Sequence, residues 1–343
     1  MRYTQVCLNS FGYELPPLDV SSAELEARLA PVYERLKLPA GRLELMSGIR
    51  SRRFWHAGTK PSDGAVLAGR KALAASGLDP AEIGVLIFTS VSRDLLEPAT
   101  ASFVHRQLGL SPACMLFDLS NACLGFLNGM TMVANMIELG QIKHGLLVAG
   151  ETAEGLLDST IANLLADASL TRKSIKSSFA SLTIGSGAVA LVLSAASASD
   201  SGHRLVGGVC RANTGHSHLC QGGGENGGTL MATDSEELLL RGVETAAMAW
   251  RDFQAELPWP TAAINRFFCH QVGRAHAKLL FARLGLAVEK NFETIAYLGN
   301  VGSVSAPITM AIGLEEGAIA PGDRLALLGI GSGINCLMLG IEW

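Results

Sequence analysis

Residues 119–150 read LSNACLGFLNGMTMVANMIELGQIKHGLLVAG, and residues 298–329 read LGNVGSVSAPITMAIGLEEGAIAPGDRLALLG. Each runs through a small-residue loop, a largely apolar helix, an acidic residue close to a glycine, an isoleucine two positions further on and an apolar strand. Asn121 and Asn300 lie 179 residues apart, Gly140 and Gly317 lie 177 apart, and Gly150 and Gly329 again 179. Shared helix and strand composition would not reproduce that order, so the chain reads as a duplicated half. The helices expected at 124–139 and 303–316 are apolar around much of their circumference, unlike a one-sided surface helix. Both are read as central helices pressed between sheets.

The flanking segments extend the match. TIGSGAVALVLSAA at 183–196 and GIGSGINCLMLGIEW at 329–343 each set a glycine turn before a buried strand. The second follows an apolar strand directly and the first follows the more polar KSSFAS, so the halves are not strict copies. Apolar patterning stops in SAASASDSGHR at 194–204, which places a boundary near 196. Residues 1–196 then form one half, with Cys123, and 197–343 the other, with His270 and Asn300. Nearly continuous apolar strands at 83–89, 146–149, 267–269 and 325–328 predict an α/β fold with buried parallel or mixed sheets covered by helices.

Composition narrows the function classes. The 343 residues are 48% hydrophobic and 17% charged with 38 glycines, which excludes a disordered chain, a coiled coil and a disulfide-stapled module. A net charge of -4 offers no positive field for a phosphate backbone, so nucleic acid is not an expected partner. The seven cysteines are irregularly spaced and the start MRYTQVCLNSFGYELPP lacks a signal-peptide pattern; a reducing cytoplasm is expected. Residues 325–341 carry no charge, but Gly329, Gly331, Ser332, Gly333 and Asn335 divide them into two strands and a turn rather than a membrane span.

Several residues can carry chemistry. Cys123 lies where a loop opens the first central helix, and helix N-terminal N–H groups stabilise a thiolate and then an oxyanion. The alternative is a packing cysteine, which is how Cys7, Cys114 and Cys210 are read. His270 ends FFCH, where a buried strand reaches its loop and imidazole can donate to a carbonyl or move a proton; a satisfied core histidine is the other reading. His276 is assigned to packing or the surface. Asn300 mirrors the loop of Asn121 and Cys123, and its amide can donate to a carbonyl oxygen or act as a turn residue. Glu97, in SVSRDLLEPATAS, can be a base if an apolar crevice raises its pKa, or can pair with Arg93; Asp94 competes with it. The 331–333 turn, Gly-Ser-Gly, can aim a backbone N–H at the same carbonyl as Cys123 or simply close a hairpin. His216, His218 and Cys220 cluster without a fourth ligand, so no metal is expected. Gly222–Gly224 with Gly227 and Gly228 are read as a flexible loop, and neither GxGxxG nor a Walker sequence occurs.

Taken together, SGIRSRRFW at 47–55, DLSNACLGFLNG, LTIGSGAVALVL, HQVGRAH, YLGNVGSVSAP and LLGIGSGINC resemble the thiolase superfamily, in its ketoacyl synthase III-like branch. The resemblance implies a five-layer αβαβα fold, a homodimer and a Cys123–His270–Asn300 site. TSVSRDLLEPATAS is similar to the OleA-like, head-to-head condensing enzymes, which implies that Glu97 is the base of a non-decarboxylative Claisen condensation of two long-chain acyl-CoA molecules. HQVG departs from the HQAN of ordinary ketoacyl synthase III enzymes. Cys336 follows the 331–333 turn, whereas a degradative thiolase has its second cysteine before it. What the resemblance further implies is an oxyanion hole of Cys123, Ser332 and Gly333, no cofactor beyond the coenzyme A of the substrate, a 2-alkyl-3-keto product and downstream hydrocarbon-forming enzymes as partners. Leu124 and Phe126, with Leu127 and Met130, can wall acyl channels or equally fill the core. Arg50, Arg52 and Arg53 are expected to meet the phosphates of coenzyme A, or to form a surface patch. The other enzymatic reading is decarboxylative condensation or acyl transfer on an ACP-bound substrate; a noncatalytic acyl-binding protein is the third.

Overall fold

The computed structural model describes residues 1–225 and 228–343. Nine of its strands form one continuous mixed sheet in two halves, a first sheet and a second sheet joined at one edge. In the first half the order is Met115–Asp118, Ile83–Phe88, His144–Glu151, Gly187–Ala195, Val6–Glu14. In the second it is Arg266–Cys269, Arg324–Gly331, Asn335–Glu342, Arg204–Ala212. The strand Val6–Glu14 meets Arg204–Ala212 through one pair, Cys7 opposite Arg204.

The topology repeats between the halves. The helix Gly125–Glu138 leads into His144–Glu151, which runs parallel to Ile83–Phe88 and antiparallel to Gly187–Ala195. The helix Ser305–Glu315 leads into Arg324–Gly331, which runs parallel to Arg266–Cys269 and antiparallel to Asn335–Glu342. Parallel neighbours need a crossover, and a right-handed helical crossover packs back onto the sheet it came from.

Three apolar clusters separate five layers. Both central helices lie between the sheets, where Phe126, Leu127, Met130, Ile308 and Met310 pack on Leu191, Leu327 and Leu339. Each large apolar side chain withdrawn from water there contributes roughly 1.5–3 kcal/mol. Beyond the first sheet, Ala65, Val66 and Val104 of the helices Pro61–Ser76 and Thr100–Leu108 cover Leu86 and Val148. Beyond the second, Trp250, Phe253 and Phe281 of Ser235–Glu256 and Arg274–Leu284 cover Phe267 and Leu328. This is the αβαβα arrangement. All residues of the second central helix from Ser305 through Gly313 are buried, as its all-round apolar sequence demands.

Two local expectations change. Gly222–Gly224 belong to the strand Cys220–Glu225, paired antiparallel with Gly228–Thr233, because backbone pairing needs no side chain; Gly227 lies outside the described residues. Cys210 is exposed, unlike buried Cys7 and Cys114, since the outer end of its strand reaches solvent. Among the described residues no helix is long and apolar enough to cross a membrane.

Candidate active site

The first central helix does not begin at Cys123 but two residues later, at Gly125. Between the strand Met115–Asp118 and that helix the backbone turns through Ala122, at φ +47°. A left-handed alanine costs on the order of 1–2 kcal/mol, so the turn must be held from outside. Asn121 holds it: Nδ2 donates to Asn128 Oδ1 at 2.8 Å, and Oδ1 accepts from Asn335 Nδ2 at 3.2 Å. Asn335 also donates to Ser332 O at 3.3 Å, stitching the 331–333 turn to the cysteine loop. Gly331 lies against Cys123, since a Cβ added there would fall 3.5 Å from the cysteine N and 3.7 Å from its Cβ.

Burial is the largest influence on the Cys123 thiol, pushing its pKa up to about 12, and the charges of Cys220 and Glu151 push the same way; one backbone N–H opposes them. The thiolate expected from a helix N-terminus is therefore not the resting form. Desolvation outweighs the field of a helix whose first turn starts beyond the sulfur.

His270 follows the last residue of the strand Arg266–Cys269, and its N donates to Leu328 O at 2.9 Å. The neighbouring strand continues to Gly331, so the imidazole and the glycine turn leave the same edge of the second sheet. His270 is 5% exposed. Burial first, and then His276, hold its pKa down to about 3, so the ring is neutral near neutral pH. His276 is half-buried on the helix Arg274–Leu284, and with His270, Gln271, Asn291 and Glu293 it lines one cavity of about 10 Å³, the size of a single water. Gln271 braces the loop, donating to Phe292 O at 3.3 Å and accepting from Thr294 N at 3.0 Å.

Asn300 is fixed through its backbone, its N donating to Thr183 O at 3.0 Å and its O accepting from Gly185 N at 2.9 Å. Its Oδ1 accepts from Gly302 N at 3.1 Å. Among the described residues no acceptor takes a hydrogen bond from Nδ2, which leaves that donor for a ligand. Next to Asn300, Ser303 hydrogen-bonds Glu151, the carboxylate whose charge reaches Cys123.

A model of the 3-oxoacyl-[acyl-carrier-protein (ACP)] synthase III family matches residues 117–213, and its C-terminal counterpart matches 255–343. An acyl-CoA:acyl-CoA alkyltransferase of Shewanella oneidensis is 44% identical, with both chains covered in full. The chain belongs to the acyl-CoA:acyl-CoA alkyltransferase family. A second member, from Xanthomonas campestris pv. campestris, is 37% identical over the whole of both chains. The crystal structure of Xanthomonas OleA with cerulenin bound superimposes with a TM-score of 0.95 at 37% identity, covering 100% of this chain and 98% of that one.

Against that family background several sequence expectations move. Glu97 is not in an apolar crevice: it is exposed, beside Leu95 and Leu96, the latter 89% exposed, because residues 91–98 loop outward from the first sheet. Among the described residues Glu97 has no ion pair, with Arg93 or any other cation. Asp94 is not free to compete, since it accepts from Ser62 N at 2.9 Å and Ser62 Oγ at 2.6 Å at the start of the helix Pro61–Ser76. Arg52 is 0% exposed and cannot meet a phosphate. It donates to Ser22 Oγ at 3.1 Å and Leu182 O at 3.2 Å, and burial holds its pKa down to about 10. Its Cβ lies within 3.2 Å of where a side chain on Gly299 would begin, so it supports the Asn300 loop from behind. Arg50 is exposed and Arg53 half-buried. Leu124 and Phe126 are buried in the core between the sheets rather than exposed along an open channel. His216 and His218 stand with ring centroids 6.4 Å apart, and among the described residues no three metal-ligating side chains are grouped.

Gln271 and Glu151 escaped the sequence reading, and Asn335 was read only as part of a turn. Asn335 and Gln271 are polar positions inside apolar runs, SGINC and FFCHQV, and that interruption was their signal. Glu151 ends the strand HGLLVAGE with no lysine or arginine nearby in the sequence.

Proposed function

We propose that this chain joins two long-chain acyl-CoA molecules by a non-decarboxylative Claisen condensation, releasing a 2-alkyl-3-keto acid or its CoA thioester. The observation that carries this reading is full-length likeness to acyl-CoA:acyl-CoA alkyltransferases, together with a half-buried cysteine set against the glycine turn of the opposite half.

The Cys123 sulfur attacks the first thioester carbonyl as neutral His270 takes the thiol proton, because a thiol near pKa 12 is not ionised beforehand. The N–H groups of Cys123 and of the Ser332–Gly333 turn hold the oxyanion. The carbon–sulfur bond to coenzyme A breaks, and His270 returns the proton to the departing thiolate. A second acyl-CoA enters; Glu97 removes its α-proton while His270 and Asn300 Nδ2 donate to the enolate oxygen. The α-carbon attacks the acyl-cysteine carbonyl and expels the Cys123 thiolate, and water then cleaves the remaining thioester. Glu97 lies in solvent within a single chain, so its action as a base in a dry site requires its loop to be covered. A homodimer that also buries Leu95 and Leu96 meets that requirement. Exposed Arg50 takes a coenzyme A phosphate. The reading sets the enzyme in the cytoplasm, passing its product to enzymes that convert β-keto acids to hydrocarbons.

The test is mass spectrometry of products from the protein and one α-deuterated long-chain acyl-CoA, with no malonyl donor, beside Glu97→Gln and Cys123→Ala. A joined-chain β-keto acid, or the ketone it decays to, is expected from the unaltered chain, with deuterium loss and joined product abolished in Glu97→Gln. Cys123→Ala abolishes acylation as well. Acylated Cys123 without joined product overturns self-condensation and supports an ACP-bound malonyl acceptor, ACP being the carrier in the name of the matching family model.

A further inference from the structure

Glu151 ends the strand His144–Glu151 and is 5% exposed. Four donors converge on it. Oε1 accepts from Val91 N at 2.9 Å, Ser303 Oγ at 3.0 Å and Ser303 N at 3.3 Å, and Oε2 accepts from Ser92 N at 3.0 Å. Among the described residues no cation pairs with it. Three of the four partners are N–H groups that can only donate, and the Ser303 hydroxyl donates as well, so the ionised form fits the site. Burial, the largest influence, raises its pKa, and hydrogen bonds from the Val91 and Ser92 backbone and from the Ser92 and Ser303 side chains oppose that rise. A buried carboxylate without a cation is a costly way to fill space, which calls for a role beyond packing.

What the carboxylate joins gives that role. Val91 and Ser92 begin the loop that leads to Glu97, and Ser303 lies three residues beyond Asn300. Between them Gly302 turns at φ +55°, and a Cβ there would fall 3.0 Å from Glu151 Oε1. Gly302 N in turn holds Asn300 Oδ1, leaving Nδ2 outward. One carboxylate thus sets the orientation of the Asn300 amide and the root of the Glu97 loop.

We propose that Glu151 is a positioning residue for condensation, locking the Asn300 loop of the second half to the Glu97 loop of the first. The proposal rests on the roles assigned to Cys123, Asn300 and Glu97 above. Its test uses Glu151→Gln in the full chain, with acyl-cysteine formation followed by intact mass and joined product by kcat and KM. A glutamine offers one acceptor oxygen where four donors converge. We expect kcat for joined product to fall about 100-fold, the scale of an ångström-sized misplacement, with acylation of Cys123 within a few-fold of normal. Because the Glu151 charge raises the thiol pKa, alongside the charge of Cys220, the pH midpoint for alkylation of Cys123 by iodoacetamide moves down in Glu151→Gln. A merely loosened fold would rehydrate the thiol and lower that midpoint too, but it would slow acylation and condensation together, so the split between the two steps carries the distinction.

If Glu151 acts through Asn300, the double variant with Asn300→Ala is little slower than Asn300→Ala alone, since coupled residues are not additive. Multiplying effects, unchanged kcat, an unmoved midpoint, or equal losses in acylation and condensation each overturn the proposal. Should Glu151→Gln fail to fold, Ser303→Ala removes a single hydrogen bond, and a kcat fall of about 3- to 10-fold at constant KM is expected; no change there overturns it. Retained condensation in Glu97→Gln would instead remove the base assignment, leaving the Asn300 coupling to be judged separately.

Discussion

Asn121 and Asn300 occupy mirrored positions in the two halves, yet their side chains are used differently. Asn121 has both ends of its amide tied within the chain, to Asn128 and Asn335, and so stabilises the turn that presents Cys123. Asn300 has only its oxygen tied, to Gly302, and its nitrogen is left as a donor. The positive-φ residues also differ: Ala122, before the nucleophile, in the first loop, and both Gly299 and Gly302, the latter at the position mirroring the nucleophile, in the second. Duplication supplied two helix-opening loops; the contacts around each made one a support for a thiol and the other an amide facing outward. A cysteine could not simply be repeated at 302, because Glu151 occupies the space a side chain there would need.

The largest effect that would break this contrast is on catalysis. Asn300→Ala should lower the rate of joined product about 100- to 1,000-fold, the scale of losing a donor to developing negative charge. Asn121→Ala should act mainly on stability, lowering it by about 1–2 kcal/mol in urea unfolding for two lost hydrogen bonds. Comparable rate losses in both variants would mean that the halves are not differentiated as described.

Next in size, Gly302→Ala should destabilise the fold by about 1–3 kcal/mol, since it combines a positive φ with a contact on Glu151. An unchanged urea midpoint would show that the second loop has room for a side chain after all.

The second half should also carry the acid response of its site. His270 and His276 have pKa values held down to about 3 and about 4, so in acid the unfolded chain takes up protons that the folded chain refuses. Stability contributed by the neutral rings is present above the ordinary histidine pKa and is lost as pH falls below about 6.5, by at most roughly 1.4 kcal/mol per pH unit for each ring. Thermal unfolding between about pH 7 and 5 should slope less in His276→Gln than in the unaltered chain, and parallel slopes would remove His276 from the response.

The smallest expected change sharpens the first loop. Ala122→Gly removes left-handed strain and adds unfolded-state entropy, for a net gain of under about 1 kcal/mol, read from the shift in urea midpoint. A loss of stability would show that the alanine methyl contributes packing that outweighs its backbone conformation.

The duplicated fold was legible in the sequence because it rests on local pattern. The all-round apolar helices at 125–138 and 305–315, the glycine turns and the uninterrupted strands each report their own burial, and their order reports the repeat. Cys123, His270 and Asn300 were legible as candidates because each sits where such an element ends. Glu97 was correctly placed on a loop but not in a crevice, since exposure depends on what packs over a segment. Arg52 misled for the same reason: its cationic neighbours suggest a surface, and only the crossing of residues 22, 182 and 299 around it makes it internal.

From the sequence alone came central helices between buried sheets, the repeat of two halves and the residue types available for chemistry, because periodicity and covalent order are local properties of the chain; the five-layer order came with the resemblance to the thiolase superfamily. Tertiary structure alone decided that Cys123 rests as a thiol, that His270 is neutral, and that Glu151 ties residues 91–92 to 303. Those outcomes depend on desolvation and on donors brought together from segments up to about 200 residues apart, which no local pattern encodes.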